Sequence, residues 1–93
     1  MTGKQRRHLR ALGHHLSPVV QIGHEGVSEA LVKQTGEQLE AHELIKVKIG
    51  DGDRHEAADL LASKTGSEVA QVLGRTALLY KRRKEKPEIE LPK

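Results

Sequence analysis

The amino-acid sequence predicts a single α/β domain in which three helices alternate with four strands of a mixed sheet. A length of 93 residues suits one compact domain and excludes two independent cores. The apolar pattern switches along the chain between the helical period and the strand period, with glycine-containing turns between the segments. The predicted order is α-β-α-β-α-β-β, and the early strands should be parallel because helical crossovers link them.

The first helix and the first strand have clear boundary signals. Thr2 and Gln5 have the spacing of a capping box, and Gly13 is a natural helix stop. Residues 18–22 form a short, mostly apolar run that predicts a buried strand. We expect the inward stripe of the helix to comprise Leu9, Leu12 and Leu16.

The second helix and the second strand follow in the same way. Ser28 can cap a helix that runs to about His42. Its inward candidates are Val27, Ala30, Leu31 and Leu39. Residues 44–49 alternate as a half-buried strand requires, with Ile45, Val47 and Ile49 on one face and Leu44, Lys46 and Lys48 on the other.

The last third of the chain predicts a helix and a hairpin. Asp53 and Glu56 have capping-box spacing at the start of a helix that continues through Ala57, Leu60, Leu61 and Lys64 and stops at Gly66. Two β-prone runs, 69–73 and 76–80, flank Gly74-Arg75, a pair favoured in a type II′ turn. Charge and proline leave little to bury after that, so we expect a domain over 1–83 and a flexible tail over 84–93.

Positive charge is concentrated near both ends of the chain. The formal net charge is only +3, yet residues 1–10 and 75–86 hold ten of the sixteen cations. Residues 11–74 carry a net charge of −5. This asymmetry suggests a polyanionic partner, although runs of Lys and Arg at termini are often merely solvated.

Several classes of function lack support in the sequence. There is no cysteine, no histidine spacing typical of a metal site and no nucleophile elbow, so we expect neither an enzyme nor a cofactor. No apolar run approaches the length of a membrane span, and the basic start is unlike a signal peptide, so we expect a cytoplasmic protein. We also expect no small-molecule substrate. Without Phe or Trp, an aromatic platform for stacking bases is excluded.

The motif Gly23-His24-Glu25-Gly26 lies between a predicted strand and a predicted helix. Unpaired backbone N–H groups and the helix dipole favour an anion at such a position. Glu25 opposes an anion there, whereas a protonated His24 would assist one. A tight turn that needs two glycines is the alternative interpretation.

Three segments together resemble the CRM domain family and its stand-alone prokaryotic YhbY-type members. The first segment is residues 12–29, Leu-Gly-His-His-Leu-Ser-Pro-Val-Val-Gln-Ile-Gly-His-Glu-Gly-Val-Ser-Glu; the second is residues 42–49; the third is residues 72–82. The resemblance covers about residues 2–82 and implies a domain similar to the C-terminal domain of a bacterial translation initiation factor. It also implies binding of ribosomal RNA or its precursor during large-subunit maturation, and we expect the protein to be a monomer.

The resemblance places the family's GxxG loop at Gly23–Gly26 and its basic surface on the two cationic stretches. The resulting RNA-binding candidates are Lys4, Arg6, Arg7, Arg10, His14, Gly23, His24, Glu25, Gly26, Arg75, Lys81, Arg82, Arg83 and Lys84. Folding should bring both cationic ends together beside the GxxG loop. An adaptor that docks on ribosomal proteins, with incidental RNA contact, is the alternative function.

Overall fold

The structure is a computed structural model that describes all 93 residues. It confirms the predicted α/β domain and its order of elements. The helices are α1 (Gly3–Gly13), α2 (Glu29–Ala41) and α3 (Arg54–Thr65). The strands are β1 (Pro18–Ile22), β2 (Leu44–Ile49), β3 (Glu68–Leu73) and β4 (Thr76–Tyr80).

The four strands form one mixed sheet in the order β1-β2-β4-β3. β1 and β2 are parallel, as predicted, because α2 carries the chain back between them. β4 runs antiparallel to both β2 and β3. The β1–α2 loop, the β2–α3 loop and the β3–β4 turn therefore meet at one end of the sheet, which we call the loop end. β2 begins and β4 finishes at the opposite end, which we call the terminal end.

The helices cover the two faces of the sheet unequally. α2 and α3 share one face and enclose twelve buried residues, among them Ile22, Val47 and Leu79. α1 packs alone on the other face, where five buried residues include Leu9 and Leu78. One helix covers only part of a four-stranded face, so the face of α1 remains partly open.

Local sequence signals fix the starts and ends of the helices. Both hydrogen bonds of the capping box between Thr2 and Gln5 are present at the start of α1. The Asp53 side chain accepts from the N–H groups of Glu56 and His55, which lowers the pKa of that carboxyl. α3 ends at Gly66, whose φ of +69° is the left-handed conformation that favours glycine. These caps confirm the predicted boundaries.

The structure buries fewer leucines of the α1 stripe than the sequence predicts. Leu9 is fully buried, whereas Leu12 and Leu16 are 44% and 37% exposed. The helix approaches the sheet through Gly13, where an added Cβ would lie 2.6 Å from Cδ1 of Leu78. Gly13 thus allows a close approach and has no positive φ of its own. The predicted inward residues that are exposed are Leu12, Leu16 and Ala30.

The segment after β4 is more buried than its composition predicts. Ile89 and Leu91 are partly buried and pack with Met1 against the cluster around Leu9. The side-chain amide of Gln5 donates to the carbonyl oxygen of Pro92 at 3.0 Å. One helix does not cover the whole of this face of the sheet, and these apolar side chains cover the area next to α1. Ile89, Leu91 and Pro92 are thus partly buried, whereas the other seven residues of 84–93 are exposed.

A buried carboxylate anchors this segment. Glu43 is 1% exposed, and its two oxygens accept hydrogen bonds from the backbone N–H groups of Arg83, Glu88 and Ile89 at 2.6 to 2.8 Å. Burial raises the pKa of the Glu43 carboxyl. These three hydrogen bonds and the charge of Arg83 together lower it by more than burial raises it, so the pKa is below its usual value. The ionised form of Glu43 is therefore the form that holds the segment in place.

Candidate nucleic-acid interface

The GxxG motif forms a turn at the loop end of the sheet. The N–H of Gly26 donates to the carbonyl oxygen of Gly23 at 3.0 Å, and the φ of Gly26 is +73°. Ser28 then caps α2 by accepting from the N–H of Leu31 at 3.1 Å. The conformation of the turn explains the second glycine, because L-residues with a side chain rarely adopt a positive φ.

The first glycine has no such explanation within the fold. Gly23 has no positive φ, and a Cβ added to it would meet no atom within 4 Å. A tight turn therefore requires Gly26 but not Gly23. A backbone that is bare and unobstructed at this position can be approached closely by a ligand.

Charges around the GxxG turn are mixed. His24 is almost fully exposed, and its Nδ1 lies 3.3 Å from a carboxylate oxygen of Asp51. Glu25 is exposed in the turn, and Glu29 occupies the first turn of α2. A cleft of about 360 Å³ beside the turn is lined by Gln21, Gly23, His24, Glu25, Gly26, Ser28, Ala30, Leu31 and Gln34. With three carboxylates nearby, positive charge for an anion has to come from neighbouring elements.

Arg75 lies at the same end of the sheet as the GxxG turn. Its guanidinium donates from Nε to the carbonyl oxygen of Ile49 and from Nη2 to that of Gly52, both at 3.0 Å. Arg75 therefore helps to fix the β2–α3 loop. An arginine has five N–H donors, so the group retains donors for a ligand.

The four cations of α1 are exposed and free of ion pairs: Lys4, Arg6, Arg7 and Arg10. Their side chains reach solvent, whereas Leu9 is the residue that α1 buries most deeply. His14 follows the helix, is exposed, and contacts the ring of His15 edge to face at 5.3 Å between ring centroids. This helix surface is open to a negatively charged partner.

The cations after β4 divide into two kinds. The Lys81 ammonium donates to the carbonyl oxygen of Thr65 at the end of α3. The Arg83 guanidinium donates to the carbonyl oxygens of Ala41 and Lys86 and pairs with Glu88 at 2.9 Å. Two cations of this stretch therefore bond within the fold. Arg82 and Lys84 remain exposed and unpaired.

The predicted site residues do not all come together. The contact between Gln5 and Pro92 and the packing of Met1 join the start of α1 to the segment after β4. Gly23–Gly26 and Arg75 lie at the loop end, whereas Lys81 leaves β4 at the terminal end. Five residue steps of β2 separate the two ends, about 17 Å at 3.3 Å per residue. The structure thus joins the start of α1 to residues 89–92 but places the GxxG turn away from Lys81–Lys84.

Our sequence analysis did not select two cations of β2, Lys46 and Lys48, of which Lys48 lies opposite Gln21, two residues before Gly23. Lys46 and Lys48 share a face of β2 with Leu44, on the side of the sheet that α1 only partly covers. The alternation of residues 44–49 is the signal that places them together on one face. It does not reveal that this part of the face is uncovered.

Two absences complete the description of the site. No group of three or more His, Cys, Asp or Glu side chains is arranged to hold a metal ion. None of the helices has the length and hydropathy that a membrane span needs.

Comparison with known proteins defines the class of this α/β fold. The family model of the CRS1/YhbY (CRM) domain matches residues 1–81. The solution structure of a hypothetical Staphylococcus aureus protein, described as a candidate RNA-binding protein, has a TM-score of 0.86 and 44% identity, with 99% of each chain covered.

Curated relatives agree with this class. The chain is 44% identical to the Probable RNA-binding protein YqeI of Bacillus subtilis, over 99% of each chain. It is 34% identical to an RNA-binding protein of Haemophilus influenzae, over all of this chain and 96% of the relative. The chain therefore belongs to the CRS1/YhbY (CRM) domain family, as the resemblance predicted.

Proposed function

We propose that this protein is a non-enzymatic, monomeric RNA-binding module of the cytoplasm that acts on ribosomal RNA or its precursor during large-subunit maturation. Gly23 is the observation that carries the proposal. It is a glycine that the fold does not require, at a junction between a strand and a helix where backbone N–H groups favour phosphate. The names of the relatives support RNA as the partner.

The composition supports binding through phosphates and RNA shape. Without Phe or Trp the chain cannot stack bases on an aromatic platform. The unpaired cations of α1 and the exposed pair Arg82 and Lys84 provide positive charge. Three further cations, Arg75, Lys81 and Arg83, also add positive charge. Each of them stabilises the fold as well, because it donates to a backbone carbonyl oxygen.

Salt dependence of RNA binding tests this proposal. We would titrate the protein with labelled, purified large-subunit ribosomal RNA and repeat the titration at several salt concentrations. Contact with about six phosphates gives a slope of log K against log salt near −4, at about 0.7 per phosphate. A slope near zero contradicts binding through phosphates.

The cations of α1 provide a variant for the same assay. Replacing Arg6, Arg7 and Arg10 with Ala should weaken binding of all RNA sequences while the melting temperature stays nearly unchanged, because these side chains are exposed. The matched control replaces Glu37 and Glu40, exposed residues of α2, with Gln. Unchanged affinity in a folded α1 variant contradicts a role for this helix.

A protein-docking adaptor is the second candidate function. Three large apolar side chains are exposed near the end of α1 and the start of β1: Leu12, Leu16 and Val19. Exposed apolar groups that lie together are typical of protein interfaces. Association with large subunits that survives RNA digestion and about 0.5 M salt, where charge contacts are screened, supports the adaptor.

A further inference from the structure

α1 packs on one face of the sheet and leaves part of that face uncovered. The uncovered part carries two lysines with no partner in the fold. Leu44 of β2 packs in the cluster around Leu9, whereas Ile45, Val47 and Ile49 face α2 and α3. Successive strand residues point to opposite faces, so Lys46 and Lys48 lie on the same face as Leu44. Neither lysine makes an ion pair.

α1 does not reach the loop-end part of this face. The helix ends at Gly13, against Leu78 in the middle of β4. The next row of side chains toward the loop end runs across all four strands: Gln21, Lys48, Thr76 and Leu73. Gln21 and Lys48 are exposed in this row, and Leu73 is 65% exposed. We call Gln21, Lys46, Lys48 and Thr76 the open half-sheet.

The position of β2 makes these lysines unusual. Lysines on an edge strand discourage pairing with other chains, but β2 lies inside the sheet between β1 and β4. Its lysines therefore do not protect an edge. A face that presents cations in the middle of a sheet suits a negatively charged ligand that covers it.

The carboxylates nearby leave this face positive. Glu68 is the carboxylate on this side of the strands. It lies opposite Tyr80 in the β3–β4 register, at the terminal end. Asp51 follows β2 at the loop end, where its carboxylate lies beside the ring of His24. The open half-sheet also adjoins the GxxG turn, because Gln21 is separated from Gly23 by one residue.

We propose that the open half-sheet is part of the RNA-binding surface, with Lys46 and Lys48 contacting phosphates of an RNA strand that continues to the bare backbone at Gly23. This proposal rests on the proposed function and adds a surface to it. The two lysines lie two residues apart on one strand, about 7 Å. They extend the interface from the loop end toward the end of α1, where Arg10 is exposed.

The test replaces Lys46 and Lys48 with Gln in the full chain. The matched control replaces Lys33 and Lys64, exposed lysines of α2 and α3 on the other side of the sheet. Each pair removes two positive charges from a formal net charge of +3. The probe is a labelled pool of large-subunit ribosomal RNA fragments of about 50 nucleotides, bound at about 0.1 M salt.

We expect K46Q/K48Q to lose about 25-fold in affinity at this salt and about 1.4 in the salt slope, as the loss of two phosphate contacts requires. The control should lose less than about threefold, since charges beyond a Debye length of about 10 Å are largely screened. Equal losses in the two variants overturn the open half-sheet while RNA binding by the wild type stands. Wild-type protein that binds no RNA fails the proposed function itself.

Amide NMR shifts of the wild-type protein provide a second measurement that does not depend on a variant. Adding the same RNA pool should shift the amide signals of Gln21, Lys46 and Lys48 more than those of Lys33 and Lys64. Unmoved signals in β1 and β2, with shifts in α1, overturn the proposal. Both variants should keep the wild-type melting temperature, because all four lysines are partly or fully exposed.

Discussion

The two ends of the sheet differ in how far the fold uses their polar and charged residues. At the terminal end, Glu43, Lys81 and Arg83 bond to backbone groups and hold the last segment on the domain. At the loop end, Arg75 bonds to two backbone carbonyl oxygens, but Lys48 makes no ion pair and a Cβ added to Gly23 would meet no atom within 4 Å. The density of positive charge along a sequence therefore does not by itself locate a binding surface, because part of it stabilises the chain.

Removal of the Glu43 carboxylate has the largest expected effect on stability. Glu43→Ala leaves three backbone N–H groups without their acceptor and should lower the free energy of unfolding by about 3 kcal/mol. Urea unfolding measures the loss. Glu90→Ala, which removes an exposed carboxylate of the same segment, should change stability by less than about 0.5 kcal/mol. Equal effects of the two variants contradict an anchoring role for Glu43.

Close packing of α1 predicts the next effect. Gly13→Ala places a methyl group against Leu78 and should cost about 1 to 3 kcal/mol of stability. Gly36→Ala is the control, because an added Cβ there meets nothing within 4 Å. It should stabilise α2 by about 0.5 to 1 kcal/mol, the usual gain of Ala over Gly inside a helix. Thermal unfolding that shows the same sign for both variants contradicts this packing.

The two glycines of the GxxG turn should separate binding from folding. Gly23→Ala should leave stability nearly unchanged yet weaken binding of large-subunit ribosomal RNA about tenfold, the loss of one hydrogen bond to a charged group. Gly26→Ala should lower stability by about 1 kcal/mol, because its φ is +73°. Melting curves and RNA titrations of both variants check this. Full RNA affinity in Gly23→Ala removes that glycine from the interface.

Acid should weaken the terminal end of the sheet through Glu43. The folded-state pKa of Glu43 is below its ordinary value of 4.5, so its contribution is complete above that value and is lost as pH falls through the folded pKa. Stability of the wild type should therefore fall more steeply than that of Glu43→Gln below about pH 4.5. Urea midpoints between about pH 6 and pH 3 measure this, and parallel curves for the two proteins would contradict it.

Most of the fold could be predicted from local signals. The caps at Thr2, Ser28 and Asp53 and the turn glycines Gly66 and Gly74 act through short-range hydrogen bonds and backbone conformation, which neighbouring residues determine. The candidate site was less predictable. The motif gave the GxxG turn, but the separation of that turn from Lys81–Lys84 depends on strand direction and pairing.

Long-range packing decided what local pattern could not. Glu43 looks like any other acid in the sequence, and its burial arises because residues 83–89 fold back over it. Leu12 fits an apolar stripe, yet the close contact at Gly13 turns it to solvent.

The sequence alone determined the α/β order, the boundaries of the elements and the membership of the family, because periodicity, caps and turns are local properties of the chain. Only the tertiary structure decided which cations bond within the fold, which remain exposed, and which part of the sheet α1 leaves open. These features depend on distances between residues far apart in the sequence, and those distances exist only once the strands have paired.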